Sequence, residues 1–316
     1  MHKIALLFPG QGSQASGMGR ELFDALPNAR AVFEEADRAL GFPLAKLCFE
    51  GPAEELQLTA NAQPAILAAS VAAAEALRAG GVRADFVAGH SLGEYSALVV
   101  ARALRLADAL RLVRKRGEYM QQAVPVGEGA MAALLGGAPE SVEALCREAA
   151  QGEVCSPANH NSPGQVVIAG HTAAVERAVK SAPQHGIRRA VMLKVSAPFH
   201  CSLMQPAAEK LAHDLDALEI QDAEIPLVNN VDARFVTRAE EIREGLKRQV
   251  TSPVRWEESM TKLLAEPVNL FIEAGPGRVL CGLMRQIDRN AECLNVEDMA
   301  SFEGSVERLK GLAIQN

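Results

Sequence analysis

The chain has 316 residues, 48% hydrophobic and 22% charged, with a formal net charge of −7 at pH 7. That length buries a full core as one large domain or two smaller ones, the acidic balance argues against general nucleic-acid binding, and no run of eighteen apolar residues offers a membrane span. The six cysteines, at 48, 146, 155, 201, 281 and 293, include no C-x-x-C pair, so zinc and redox motifs lack support and reduced thiols of a cytoplasmic protein are expected.

Residues 3–8 read as a first buried strand that empties into the Gly-rich loop Pro9-Gly10-Gln11-Gly12-Ser13-Gln14. A phosphate-binding loop would need lysine after Gly17, where Met18 stands, and a dinucleotide fingerprint would need an acidic residue ending a second strand, where a helix is expected. The loop is better suited to turning backbone N–H groups toward a negative oxygen. Helices are expected over 19–26 and 28–39, a short turn or helix from Gly51, and a long Ala-rich helix led in by Gln63-Pro64 and closed by Gly80-Gly81.

Val87 and Ala88 end the next strand, and Gly89-His90-Ser91-Leu92-Gly93 fits G-x-S-x-G with a helical run behind it. That is the pattern of a nucleophile elbow, a sharp strand-to-helix turn that lifts a serine hydroxyl out of the sheet and permits no side chain at its glycines. Two helices follow, over 95–101 and 106–123. The second carries Arg111, Arg114, Lys115 and Arg116, of which most are expected to face water.

From Gly129 the pattern changes. Strand, helix, two strands joined by Asn161-Ser162-Pro163-Gly164, helix and strand run to Val195, the β-α-β-β-α-β order of a ferredoxin-like unit. A small domain over 127–197 is therefore inserted into a larger one made of 1–126 and 198–316. Beyond it, the loop Ser196 to Cys201 opens a helix reaching about Leu218, a strand is expected over 226–230, helices over 240–249 and 257–265, and a strand over 270–273 entering Gly275-Pro276-Gly277. Strands alternating with helices on both sides of the insertion give a mostly parallel sheet covered on both faces.

Ser91 needs a base. Of seven histidines, His90 points away across the turn, His2 sits at a chain end and His213 lies among polar residues in a helix. His200 lies in a loop after the insertion's last strand, and loops beyond the carboxyl ends of parallel strands are where such sheets place function. The acids between Ser91 and His200, such as Glu140, Glu143, Glu148 and Glu176, fall on the insertion's helices, so a lipase or esterase triad fits poorly. A serine hydrolase, in which Arg116 is only a surface charge, and a non-enzymatic carrier- or nucleotide-binding module remain the competing classes.

Several stretches together resemble the malonyl-CoA:acyl carrier protein transacylases. They are Phe8-Pro9-Gly10-Gln11-Gly12-Ser13-Gln14, Gly89-His90-Ser91-Leu92-Gly93-Glu94-Tyr95, Arg116-Gly117, Asn161-Ser162-Pro163-Gly164-Gln165, His200, Asn229-Asn230-Val231, Gln249 and Glu273-Ala274-Gly275-Pro276-Gly277. The resemblance spans nearly the whole chain. It implies an α/β fold, with an α/β-hydrolase-like core and a ferredoxin-like insertion.

It further implies that Ser91 attacks the malonyl-CoA thioester, with His200 as base and a backbone carbonyl at Gln249 orienting that histidine. Gln11 and Leu92 N–H groups would form the oxyanion hole, and Arg116 would hold the malonyl carboxylate. The acyl group would pass to the phosphopantetheine thiol of acyl carrier protein, supplying fatty acid synthesis, with no metal or tightly held cofactor. A cytoplasmic monomer without nucleic-acid or membrane partners is expected. Phe199 agrees with malonyl use, by analogy with related polyketide acyltransferases. A polyketide or malonate decarboxylase carrier is the nearest rival acceptor. Arg188, Arg189, Lys194 and Lys115 are the basic residues expected to meet an acidic carrier.

Overall fold

The computed structural model describes residues 3–314. Its strands are β1 (Lys3–Phe8), β2 (Phe86–Gly89), β3 (Gly129–Leu135), β4 (Cys155–Ser162), β5 (Gln165–His171), β6 (Arg189–Met192), β7 (Leu227–Val228), β8 (Phe235–Val236), β9 (Val268–Ala274) and β10 (Cys293–Val296). The larger sheet has the order β10-β9-β1-β2-β7-β8, and the smaller one β4-β5-β3-β6. In the larger sheet every pairing is parallel except β7 with the edge strand β8. The chain is thus α/β, with a mostly parallel sheet and a small antiparallel one.

β1 is apolar after Lys3 and buried there, as a strand covered on both faces must be. Its alternate residues enter two cores. Ile4, Leu6 and Phe8 join the cluster on one face, Ala5 and Leu7 that on the other, which is the period of two that a pleated strand imposes. The first core is built against the helix Thr59–Ala79, where 16 of 21 residues are buried and most are alanine or other small side chains.

In the small sheet, Ala130, Ala132, Leu134, Val166 and Ile168 pack under the helices Pro139–Ala150 and Thr172–Ser181. Met131, Val167 and Ala169 on its other face join the main core. The edge strand β4 is also tied to the large unit by paired backbone bonds, from His160 N to Val254 O at 2.9 Å and from Val254 N to Ala158 O at 2.9 Å. Among the described residues no helix is long and apolar enough to cross a membrane.

Several local expectations change. The helix Thr59–Ala79 starts before Gln63 and carries Pro64 inside it, because burial of nearly the whole helix outweighs one lost N–H donor. The strand expected over 226–230 forms only at Leu227–Val228, and Asn229 and Asn230 leave the sheet for other partners. Cys281 and Cys293 form a disulfide, against the expectation of free thiols; Cys48, Cys146, Cys155 and Cys201 are free. No sequence motif marks that pair. The helix Val279–Ile287 begins beside β10 and leaves the two Cα atoms 5.4 Å apart, a separation a bridge can span.

The elbow is where the fold is tightest. A Cβ on Gly89 would lie 1.9 Å from the Gly93 carbonyl carbon, and one on Gly93 would lie 2.0 Å from Phe8 O. Gly282, exposed on the helix Val279–Ile287, has nothing within 4 Å of its Cβ position. Gly93→Ala should therefore yield little soluble protein, whereas Gly282→Ala should leave stability unchanged or raise it by about 0.4–1 kcal/mol through the unfolded chain. Expression yield and denaturant unfolding of both variants check this; a normally stable Gly93→Ala protein contradicts the packing.

Candidate active site

The turn after β2 is drawn tight by its own backbone. His90 N donates to Phe8 O at 3.0 Å, Gly93 N to His90 O at 2.9 Å, and Glu94 N to Ser91 O at 3.1 Å. Ser91 sits at φ 51°, a left-handed conformation that a side-chain-bearing residue adopts only when its surroundings enforce it. The enforcing residue is Asn230. Its Oδ1 accepts from Ser91 N at 2.7 Å, and its Nδ2 donates to Gly89 O at 2.7 Å. His90 is turned aside, donating from Nε2 to Asn161 Oδ1 at 2.8 Å and lying against Trp256.

His200 is brought to Ser91 from the loop after the small sheet, with Nε2 2.7 Å from Ser91 Oγ. It too is left-handed, at φ 61°. Its Nδ1 lies 2.9 Å from Gln249 O and 3.2 Å from Ser252 O. Carbonyls only accept, so Nδ1 carries the proton and Nε2 is left to accept the Ser91 hydroxyl proton. Burial first, and then the nearby Arg116 charge, push the His200 pKa down to about 3, so the ring is a neutral base. No carboxylate is needed to set its tautomer.

Arg116 faces inward from the helix Leu106–Gln122 and is only 2% exposed. Nη1 donates to Gln63 Oε1 at 2.8 Å, and Nη2 donates to Gln249 Oε1 at 3.0 Å and to Ser91 Oγ at 3.2 Å. The guanidinium lies over the Tyr95 ring, and Nε has no partner. These contacts are all neutral, so a buried cation stands beside the serine hydroxyl without a bound carboxylate. Its neighbour Lys115 faces outward and donates to Asp214 at 2.6 Å.

Leu92 and Gln11 line the same cavity, about 730 Å3, together with Ser91, Arg116, Phe199 and His200. Among the described residues no protein acceptor takes the backbone N–H of Gln11 or Leu92. Lys194 lies on the rim of this cavity, and Arg188 and Arg189 are exposed at the other end of β6. Glu273, by contrast, caps the helix Val279–Ile287 through the N–H groups of Leu280 and Cys281, at 3.0 and 2.8 Å; it is structural.

Sequence reasoning did not single out Gln63, Glu94, Asn230 or the side chain of Gln249 as parts of one site. Glu94 Oε2 accepts from Gln249 Nε2 at 2.8 Å and from Asn230 N at 3.1 Å. Glu94 stands in the elbow motif itself and could have been flagged as an acid entering a buried helix. Asn230 stands in the Asn229-Asn230-Val231 stretch of the resemblance, but nothing there says that it holds the Ser91 turn; Gln63 carries no comparable signal. Among the described residues no cluster of three or more His, Cys, Asp and Glu could hold a metal ion.

The model of the acyl transferase domain matches residues 5–304. The malonyl CoA-acyl carrier protein transacylase of Bacillus subtilis is 51% identical over 311 residues, covering 98% of each chain. The solved transacylase structure from Coxiella burnetii superposes with a TM-score of 0.95 at 43% identity, covering 98% of each chain. A malonyl-transacylase solved in complex with a type II polyketide acyl-carrier protein superposes at 0.94 with 46% identity, over 97% of this chain and 99% of that one. On a family-model match over residues 5–304 and a relative at 51% identity, the chain belongs to the acyl transferase domain family and, within it, to the malonyl-CoA–acyl carrier protein transacylases.

Proposed function

We propose that the protein moves a malonyl group from malonyl-CoA to the phosphopantetheine thiol of acyl carrier protein through a malonyl-Ser91 intermediate, supplying fatty acid synthesis. The observation that carries this reading is Arg116, buried beside Ser91 Oγ with amide oxygens for partners and no carboxylate. A buried guanidinium without an anion is unfavourable, and a substrate that ends in a carboxylate supplies one, in a paired geometry that arginine can hold and lysine cannot.

Ser91 Oγ attacks the thioester carbonyl carbon as His200 Nε2 takes its proton. The oxyanion is met by the Gln11 and Leu92 N–H groups. Collapse expels the CoA thiolate, which takes the proton back from His200. The carrier thiol then attacks the malonyl ester, with His200 again moving the proton, and Ser91 is released. Nucleophile, base and anion partners are all protein groups, so the chemistry calls for no metal or cofactor.

The architecture we assign is an α/β-hydrolase-like core over 1–126 and 198–316 with a ferredoxin-like insertion over 127–197. The strand order β4-β5-β3-β6 and the two helices on one face support the second part. The exposed Arg188, Arg189 and Lys194 are the surface we assign to an acidic carrier. The enzyme is read as a cytoplasmic monomer with no nucleic-acid or membrane partner, in keeping with its net charge of −7. A polyketide carrier is the second acceptor reading, favoured by the solved complex whose enzyme is 46% identical to this chain.

Mass spectrometry after mixing with malonyl-CoA should show one malonyl adduct on Ser91, absent from Ser91→Ala, and His200→Ala should slow acylation by about 10²–10⁴-fold. Transfer at a near wild-type rate by either variant contradicts the assignment.

The low His200 pKa has a sign that can be read. In the fold the ring stays neutral from pH 8 to pH 5, while in the unfolded chain it takes a proton near 6.5. Stability from this group is therefore full above about pH 6.5 and declines as pH falls toward 3. The His200 ring proton resonances should not titrate between pH 5 and 8; a midpoint near 6.5 refutes the burial argument.

Arg116→Ala should lower kcat/KM for malonyl-CoA by about 2–5 kcal/mol, the usual cost of truncating a buried charge pair, and affect acetyl-CoA far less. Arg116→Lys should restore only part. Equal losses with both thioesters would make Arg116 a structural residue.

A further inference from the structure

Arg116 keeps its place through two amides, and one of those amides is held in turn by a buried acid. The Gln249 side chain has an oxygen end and a nitrogen end of nearly equal size, and which end meets the arginine is a matter of partners. Its Oε1 receives Arg116 Nη2 at 3.0 Å. Its Nε2 donates to Ser91 O at 3.0 Å and to Glu94 Oε2 at 2.8 Å. Turned around, the amide would set N–H against N–H at Arg116 and oxygen against oxygen at Glu94.

We propose that Glu94 is a positioning residue for the charged end of the substrate: it orients the Gln249 amide, and that amide holds Arg116 beside Ser91. The inference rests on the reading that Arg116 holds the malonyl carboxylate. Glu94 touches neither Ser91 Oγ nor the cavity, and no hydrogen bond joins it to Arg116 among the described residues. The two charges feel each other through space, and the hydrogen-bonded path from Glu94 to Arg116 runs through Gln249.

The role asks for an acceptor rather than for a charge. Both bonds to Glu94 fall on the same oxygen, Oε2. Burial raises the carboxyl to about 7, and a protonated carboxyl keeps a carbonyl oxygen able to accept. Glu94→Gln therefore preserves both bonds, with its amide oxygen in the place of Oε2. Glu94→Met, of similar length, offers no acceptor and leaves two buried N–H groups without partners, at Gln249 and at Asn230.

The two arms have different consequences. The Asn230 arm supports the Ser91 turn and acts on every thioester. The Gln249 arm reaches Arg116 and acts on substrates that end in a carboxylate. The readout is therefore the ratio of kcat/KM for malonyl-CoA to that for acetyl-CoA, which loss of general packing would leave unmoved.

In Glu94→Met this ratio should fall by about 5- to 150-fold, the range expected when a buried donor loses its partner. In Glu94→Gln it should stay near the wild-type value. In Gln249→Met the ratio should fall as well, and adding Glu94→Met to that variant should lower it no further, because one path cannot be cut twice. The carbonyl of Gln249 that holds His200 is present in all of these.

An unchanged ratio in Glu94→Met, a Glu94→Gln variant as impaired as Glu94→Met, or additive losses in the double variant each overturn the proposal. Arg116→Ala is the control for the reading underneath. If it leaves the ratio at the wild-type value, the carboxylate reading fails. The crystal structure of Glu94→Met then decides the proposal alone: a Gln249 amide displaced from Arg116 supports it, and an amide unmoved at 3.0 Å refutes it.

Discussion

The active-site elbow depends on a contact of backbone against backbone at the end of β1. The carbonyl of Phe8 accepts from His90 N, and the Cα of Gly93 is pressed so near the same carbonyl that no Cβ fits. β1 and the elbow thereby fix each other. The loop leaving β1, with Gln11, arrives on one side of Ser91, and the helix Gly93–Val100 leaves on the other. Gln11, Ser91 and Leu92 thereby come to line one cavity. Gly10 continues the contact, since a Cβ there would lie 2.5 Å from His90 O.

The second constraint is electrostatic. A guanidinium removed from water costs several kcal/mol unless hydrogen bonds replace its hydration. Carboxylate partners would satisfy Arg116 fully but would occupy the place an anionic substrate needs. Gln63 and Gln249 supply oxygens without net charge, and the acid in the vicinity, Glu94, is set one residue back behind Gln249. Its carboxyl, raised to about 7 by burial, adds only part of a negative charge at neutral pH. The arrangement keeps the arginine solvated by dipoles and still open to one more anion.

His200 shows the same economy of charge. A carboxylate beside Nδ1 would raise its basicity and add a negative group to the site that we assign to a malonyl group. Two backbone carbonyls set the tautomer instead, at Gln249 and Ser252. Those carbonyls lie at the end of the helix Ala239–Gln249 and just past it, and the histidine comes from the loop behind β6, so the pairing depends on how the small sheet is seated. The bonds between β4 and Val254 and the shared core under Met131 and Val167 hold it there.

Much of this was legible in the sequence for reasons that are local. Alternating burial in β1, the glycines that an elbow must have, and the change of pattern at Gly129 follow from periods and turn chemistry a few residues long. Ser91 and His200 could be singled out from a turn motif and a loop position, whereas Arg116 was picked out of a basic helix by the resemblance to the transacylases. The side-chain hydrogen bonds that join them could not be read there. Gln63, Asn230 and the Gln249 side chain are ordinary amides, 28, 139 and 158 positions from Ser91 in the chain, and their meaning lies in which atom each presents to a buried neighbour. The Cys281–Cys293 pairing and the internal Pro64 are of the same kind. Sequence by itself determined which residue types could do chemistry and which turns had to be made; tertiary structure alone decided the hydrogen-bond partners, because those are set by packing between segments whose separation along the chain carries no signal of their contact in space.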